Sequence, residues 1–174
     1  MTELGARVDI STFRNVFASV AGAVSVLTVG EGERRTGLTA TSVSAFSAEP
    51  PTVAIHVNTS SSSWGAIQVE GRFCISVLAR DQELVAHNFA GRGGLKGVDR
   101  FAGAEWTTLQ SGAPALQGAL AHIDCVLDEA IIRHSHAIVL GRIVALHSET
   151  ITRPLLYWQR AFLGLEEMAQ TRKL

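Results

Sequence analysis

Apolar and polar positions alternate with a period of two over most of the chain, and only a few short stretches keep the spacing of a helix. Phe13, Val16, Phe17 and Val20 share one helical face, with Ser11 or Thr12 placed to cap it and Gly22 to close it. Residues 23–29 read as a strand, Gly30 to Glu33 as a polar turn, and residues 34–39 as the returning strand of a hairpin. Small and β-branched residues at 52–57, entered through Pro50 and Pro51, predict a buried strand. Trp64, Ile67 and Gln68 continue a helix to about Glu70, where Gly71 stops it. Residues 72–78 form the next strand, with Phe73, Ile75 and Val77 on one face.

Asp81 is placed to cap a helix carrying Leu84, Val85 and Phe89, and Gly91 ends it. Residues 92–118 hold six glycines and little periodicity, which predicts a long excursion over the surface, with Arg100 and Phe101 capping a single turn in it. Residues 120–132 then alternate, Ala121, Ile123, Cys125 and Leu127 against His122, Asp124, Val126 and Asp128, as in a half-exposed strand. Residues 137–147 and 155–158 complete about seven strands, before an amphipathic tail from Phe162 whose Glu166, Glu167, Arg172 and Lys173 face solvent. No strand–helix alternation repeats, which excludes a doubly wound parallel sheet and predicts a mainly β, antiparallel barrel with short helical plugs. The expected boundaries are a lead over residues 1–12, one domain over 13–166 and a tail over 167–174.

Composition adds limits. A chain of 174 residues with 47% hydrophobic content buries one substantial core. A net charge of -1 gives no general attraction to nucleic acid or to an anionic membrane, and no apolar run is long enough for a membrane-spanning helix. Cys74 and Cys125 sit in apolar runs and read as free packing residues, and no secretory leader is apparent, so a cytoplasmic setting is expected.

The candidate chemistry lies between residues 37 and 63. Thr39, Ala40, Thr41, Ser42, Ser44 and Ser47 are small, so backbone can approach a ligand closely there. The strand that follows empties into Asn58, Thr59 and four serines at a helix start, where free N–H groups attract an anion. The bland reading, edge sequence followed by a capped helix, is compatible with this one. No lysine or arginine stands in the cluster, so amides and hydroxyls would hold the anion weakly, which suits a ligand that must be released. Common nucleotide signatures are absent: after Gly30 and Gly32 the third glycine position is Arg35, Lys96 precedes Gly97 without a P-loop, and there is no G-x-S-x-G elbow. His134 and His136, with His122 and Asp124 on the neighbouring strand, offer a cupin-like metal set as an alternative. That pattern wants a glutamate three or four residues after the second histidine, where Val139 and Leu140 stand. On residue type alone a single histidine at a strand start is more often structural than catalytic.

Four stretches in order, FRNVFASVAGAVSVLT, GLTATSVSAFSAEPP, GRFCISVLARDQELVAHNFAG and the pair HSHAIVLGRI and RPLLYWQRAF, resemble the short-chain flavin reductases. These are the reductase components of two-component flavin-dependent monooxygenases such as 4-hydroxyphenylacetate 3-monooxygenase. The resemblance spans residues 13 to 162 and implies an FMN-binding split β-barrel with Greek-key-like connections, a homodimer, and reduction of FMN or FAD by NADH or NADPH for a separate monooxygenase. It assigns Leu38, Thr39, Ala40, Thr41, Ser42 and Ser44 to the flavin ring and the run from Asn58 to Ser63, Thr59 and Ser62 included, to the phosphate turn, with Val57 before it also at the cofactor. It places His87, Asn88, Phe89, Ala90 and Gly91 at a helix end closing over the cofactor, His136 on the nicotinamide side as the catalytic candidate, and Tyr157 near it. His134 and Ser135 depart from the glycine followed by aspartate or threonine that relatives carry before this histidine, which implies an altered turn. A flavin-carrying barrel without a nicotinamide site is the non-enzymatic alternative.

Overall fold

The computed structural model describes residues 8–149 and 153–165, in which twelve strands and three α-helices alternate with 3-10 turns. The central sheet has seven antiparallel strands in the order β3 (Thr36–Ala40), β2 (Ser25–Val29), β6 (Arg72–Val77), β9 (Ala121–Arg133), β10 (His136–Ser148), β5 (Pro51–Asn58) and β4 (Ser44–Ala48). Its two edge strands, β3 and β4, are consecutive in the chain and joined by residues 41–43 alone. Laid flat, seven strands would hold those edges about 29 Å apart. The four Cα steps from Ala40 to Ser44 reach at most about 14 Å. The sheet must therefore roll into a barrel, with a seam where β3 and β4 approach without pairing.

Inside the roll pack Leu27, Ile55, Val57, Phe73, Ile75, Cys125 and Val139, with α2 (Ser62–Glu70) inserting Trp64 and Ile67 as a plug. Ser61 caps α2, accepting from the Trp64 N–H at 3.3 Å, and Gly71 ends it in the left-handed region at φ 63°, as its sequence predicts. At the barrel's side Val24 switches sheets, donating to Leu155 O while its own carbonyl accepts from Leu78 N, both at 2.9 Å. There β1 (Gly22–Ala23) joins β11 (Leu156–Trp158) and β12 (Ala161–Leu163) in a second, three-stranded sheet.

The excursion is no surface loop. It carries a hairpin, β7 (Trp106–Thr108) and β8 (Pro114–Leu116), laid over the barrel wall. The expected half-exposed face of β9 is corrected by this covering. His122 is 5% exposed and Asp124 fully buried. Asp124 accepts from Ser111 N at 2.6 Å and from Ser111 Oγ at 2.5 Å, and His122 Nε2 meets Leu116 O at 2.7 Å. Thr28 Oγ1 donates to Pro114 O, and Ser76 Oγ accepts from Leu116 N at 3.1 Å. Buried polar groups need such partners, so the polar half of the alternation is a docking bed. Burial, with Asp124 beside it, raises the Cys125 thiol to about 12, and the same causes raise Cys74 further, so both thiols are inert packing groups.

The helices differ in detail from expectation. α1 (Ile10–Ala18) starts earlier and is capped by Asp9, whose Oδ2 accepts from Thr12 N at 3.0 Å, in place of Ser11 or Thr12. Asp81 lies in a 3-10 turn before α3 (Glu83–Phe89), and the Gln82 side chain closes that turn by accepting from Ala79 N at 3.0 Å. Val85, Ala86 and Phe89 of α3 meet Val24, Leu78, Phe101, Leu116 and Leu155 in a second core. The face assigned to Glu166, Glu167, Arg172 and Lys173 lies outside the described residues. Among those residues no helix is long and apolar enough to cross a membrane.

Candidate functional site at the barrel seam

Strand β4 pairs with β5 only up to Ala54, opposite Ser44, which leaves the outer edge of β5 uncovered beyond that point. Ser42 takes over. Its Oγ accepts from His56 N at 3.1 Å and donates to His56 O at 3.3 Å, replacing a missing strand with one hydroxyl. Beside this bridge opens a hollow of about 400 Å³ lined by Leu38, Thr39, Ala40, Ser42, His56, Asn58, Ser61 and His136. That volume lies within the usual range of small-molecule sites. His136 stands directly opposite Asn58 in the β5–β10 register, so one wall joins the expected phosphate turn to the expected catalytic histidine.

A smaller hollow of about 190 Å³ opens on the other side of Thr39 and Ala40, bounded also by Thr41, Ala90, Tyr157 and Phe162. Tyr157 and His136 thus line different hollows. His87 stands edge-on to Phe162 with ring centroids 4.9 Å apart, placing α3 beside the second one. Thr39 Oγ1 donates to Ala86 O at 2.7 Å, tying the seam strand to α3. Arg100 does not merely cap its own turn: it donates from Nη1 to Gly37 O and from Nε to Leu95 O at 3.1 Å, anchoring the excursion to β3. Gly37 is required here because a Cβ would lie 2.5 Å from the Phe89 ring and 2.4 Å from Leu27 O.

Several expected contacts fall elsewhere. Val57, Phe89 and Ser63 are at most 1% exposed, so their side chains line neither hollow. Asn88 donates to Ala102 O at 3.3 Å and serves the excursion. Ser44 and Ser62 are exposed outside both hollows, and Gly91, at φ 73°, turns the chain out of α3 without lining either. Thr59 is spent on Ser135 O, donating from N at 3.0 Å and from Oγ1 at 3.2 Å. Ser61 belongs to the expected phosphate turn and lines the larger hollow, whereas His56 was not anticipated. His56 sits within a run of buried β-branched residues, and only the register with β10 shows that the face it shares with Asn58 also carries His136.

The metal alternative loses its second pair, since His122 and Asp124 are buried beneath the excursion. Among the described residues no group of three or more His, Cys, Asp or Glu is placed to hold an ion.

The rolled sheet and its open seam define a split barrel with a ligand-sized groove along an uncovered strand edge. Residues 17–166 match the flavin reductase like domain. The chain is 35% identical over 159 residues to the reductase subunit HsaB of a flavin-dependent monooxygenase from Rhodococcus jostii, covering 91% of this chain and 80% of that one. It is 37% identical to an FMN reductase (NADH), RutF 2, of Methylorubrum extorquens, covering 89% of each. Among solved structures, the NADH:FAD oxidoreductase SgcE6 of Streptomyces globisporus superimposes with a TM-score of 0.82 at 31% identity, covering 94% of this chain and 97% of that one. Another structure of that enzyme holds NAD and FAD fragments. The chain belongs to the flavin reductase family.

The turn between β9 and β10 shows what the departure from glycine costs. His134 occupies it at φ 53°, in the left-handed region that disfavours a side chain, and is exposed. Ser135 O still reaches Thr59, so the turn keeps its hold on the loop that follows β5. His134→Gly should therefore raise stability by about 1 kcal/mol in urea unfolding. An unchanged or lower midpoint would show that the turn carries no such strain.

Proposed function

We propose that the chain reduces FMN or FAD with NADH or NADPH in the seam groove, as half of a homodimer, and passes the reduced flavin to a separate monooxygenase. The observation that carries this reading is the junction of two hollows at Thr39 and Ala40, walled by small residues and open along a strand edge. The residues fit a flavin. Gly37 O on that edge is already taken by Arg100, and strand alternation puts the N–H and C=O of Thr39 on the same edge, free of ladder pairing. Such fixed backbone donors favour the negative charge that builds at a flavin's polar edge.

Bound flavin supplies the ring that accepts a hydride, and bound nicotinamide supplies the hydride. The chain contributes position and exclusion of water. Thr39 is held by Ala86 and Ser42 by His56, so the groove's floor cannot drift. His136 is exposed at the groove's end, with Nδ1 3.0 Å from Ser135 Oγ, which orients its ring with Nε2 free to donate to an amide or a phosphate. Among the described residues no lysine or arginine lines either hollow, which favours release of the flavin after reduction.

Purified protein mixed with NADH and excess FMN or FAD should consume NADH at a rate that depends on added flavin, followed by the loss of NADH absorbance. Flavin binding without any such loss would make the chain a carrier.

The homodimer is supported by α1. None of its residues is buried, and Ile10, Phe13, Val16 and Phe17 form one apolar stripe on it, each more than half exposed. The β11–β12 turn holds that helix in place, with Gln159 N donating to Ala18 O at 2.8 Å and Arg160 Nη2 to Asn15 Oδ1 at 2.6 Å. Sedimentation equilibrium should give twice the chain mass, falling to a single mass for the Phe13→Glu, Phe17→Glu double variant. A monomeric parent chain would remove the proposal.

A further inference from the structure

Phosphate recognition at this groove has a gap that the serine turn does not fill. Three of the turn's N–H groups are consumed locally: Thr59 N donates to Ser135 O at 3.0 Å, Ser60 N to Asn58 Oδ1 at 2.9 Å, and Ser61 N to Asn58 O at 3.0 Å. Only the first-turn amides of α2, at Ser62 and Ser63, are left without an intrahelical acceptor. Among the described residues no lysine or arginine lines the hollow to supplement them.

Two imidazoles do line it. His56 and Asn58 lie two apart on one face of β5, and His136 stands opposite Asn58 on β10, so the two rings are diagonal neighbours on one sheet face. Ser42 Oγ holds both the N–H and the C=O of His56, while the exposed ring of His56 has no hydrogen-bond partner among the described residues. Three other histidines, His87, His122 and His147, are engaged. His87 Nε2 lies 3.3 Å from Glu83 and His147 Nε2 2.9 Å from Glu149, and His122 is buried against Leu116 O. Among the described residues no carboxylate lines the hollow to compete for His56 or His136.

We propose that His56, paired with His136, is the residue by which this chain recognises the phosphate ester of the flavin. The inference rests on the flavin reading above. An imidazole donates to a phosphate oxygen when neutral and adds charge when protonated, so two imidazoles substitute for the missing lysine or arginine. His56 thereby sets the preference for a phosphorylated flavin over riboflavin, which carries the same ring and no phosphate.

The test is equilibrium binding of oxidised FMN and of riboflavin to the full chain, followed by flavin fluorescence, with no nicotinamide present. The parent chain should bind FMN about tenfold more tightly than riboflavin. His56→Ala should shrink that ratio to about threefold or less with riboflavin affinity unchanged, and His56→Lys, which restores a fixed cation, should bring it back or widen it. Inorganic phosphate should compete with FMN and leave riboflavin untouched. An unchanged ratio in both variants overturns the role of His56. Equal weakening of both flavins also overturns it, since His56 would then support the ring or the groove. If the parent chain binds neither flavin, the groove reading itself fails, and this inference with it.

Discussion

Three residues cannot bridge a flat seven-stranded sheet, and that mismatch of length shapes the molecule. Because residues 41–43 must join opposite edges, the sheet rolls up and its edges meet without pairing. An unpaired edge exposes backbone donors and acceptors, which proteins ordinarily cover. Here α3 and the Arg100 segment cover part of β3, Ser42 covers part of β5, and the groove occupies what remains. The small residues from Thr39 to Ser42 follow from the same constraint, since bulky side chains at the seam would fill the space between the edges.

The long strands were legible because each keeps one face in the barrel core. Phe73 and Ile75, then Ile123, Cys125 and Leu127, follow the period of two, and they do lie in or against the interior. The other face misled, because an alternating polar position does not reveal whether water or protein meets it. Thr28, Ser76, His122 and Asp124 are all buried under β8, held by backbone groups more than thirty residues away or by the excursion just before them. Strands β4, β7, β8 and β12 were missed, being at most five residues long and, in the first case, almost wholly exposed.

The site divides the same way. Thr39, Ala40, Ser42, Asn58 and His136 were anticipated and line the larger hollow together, while Val57, Phe89 and Ser63 were swept in by sequence adjacency and belong to the core. In a strand, neighbours point to opposite faces, so a contiguous stretch assigned to a ligand must include residues that turn away from it. His56 escaped notice for the complementary reason: it alternates onto the face of Asn58, but its place diagonal to His136 follows from the β5–β10 register, which a single sequence does not display. The turn at His134 holds a residue in the left-handed region whose neighbour's carbonyl fixes the loop at Thr59.

The central claim is that flavin occupies the seam between β3 and β5. Backbone amide chemical shifts recorded through a titration with FMN test it most directly. The account predicts that the largest changes fall at Thr39, Ala40, Ser42, His56, Asn58, Ser61 and His136. Changes concentrated instead in the distant hollow lined by Gly32, Arg35, Trp106 and Gly112 would contradict it.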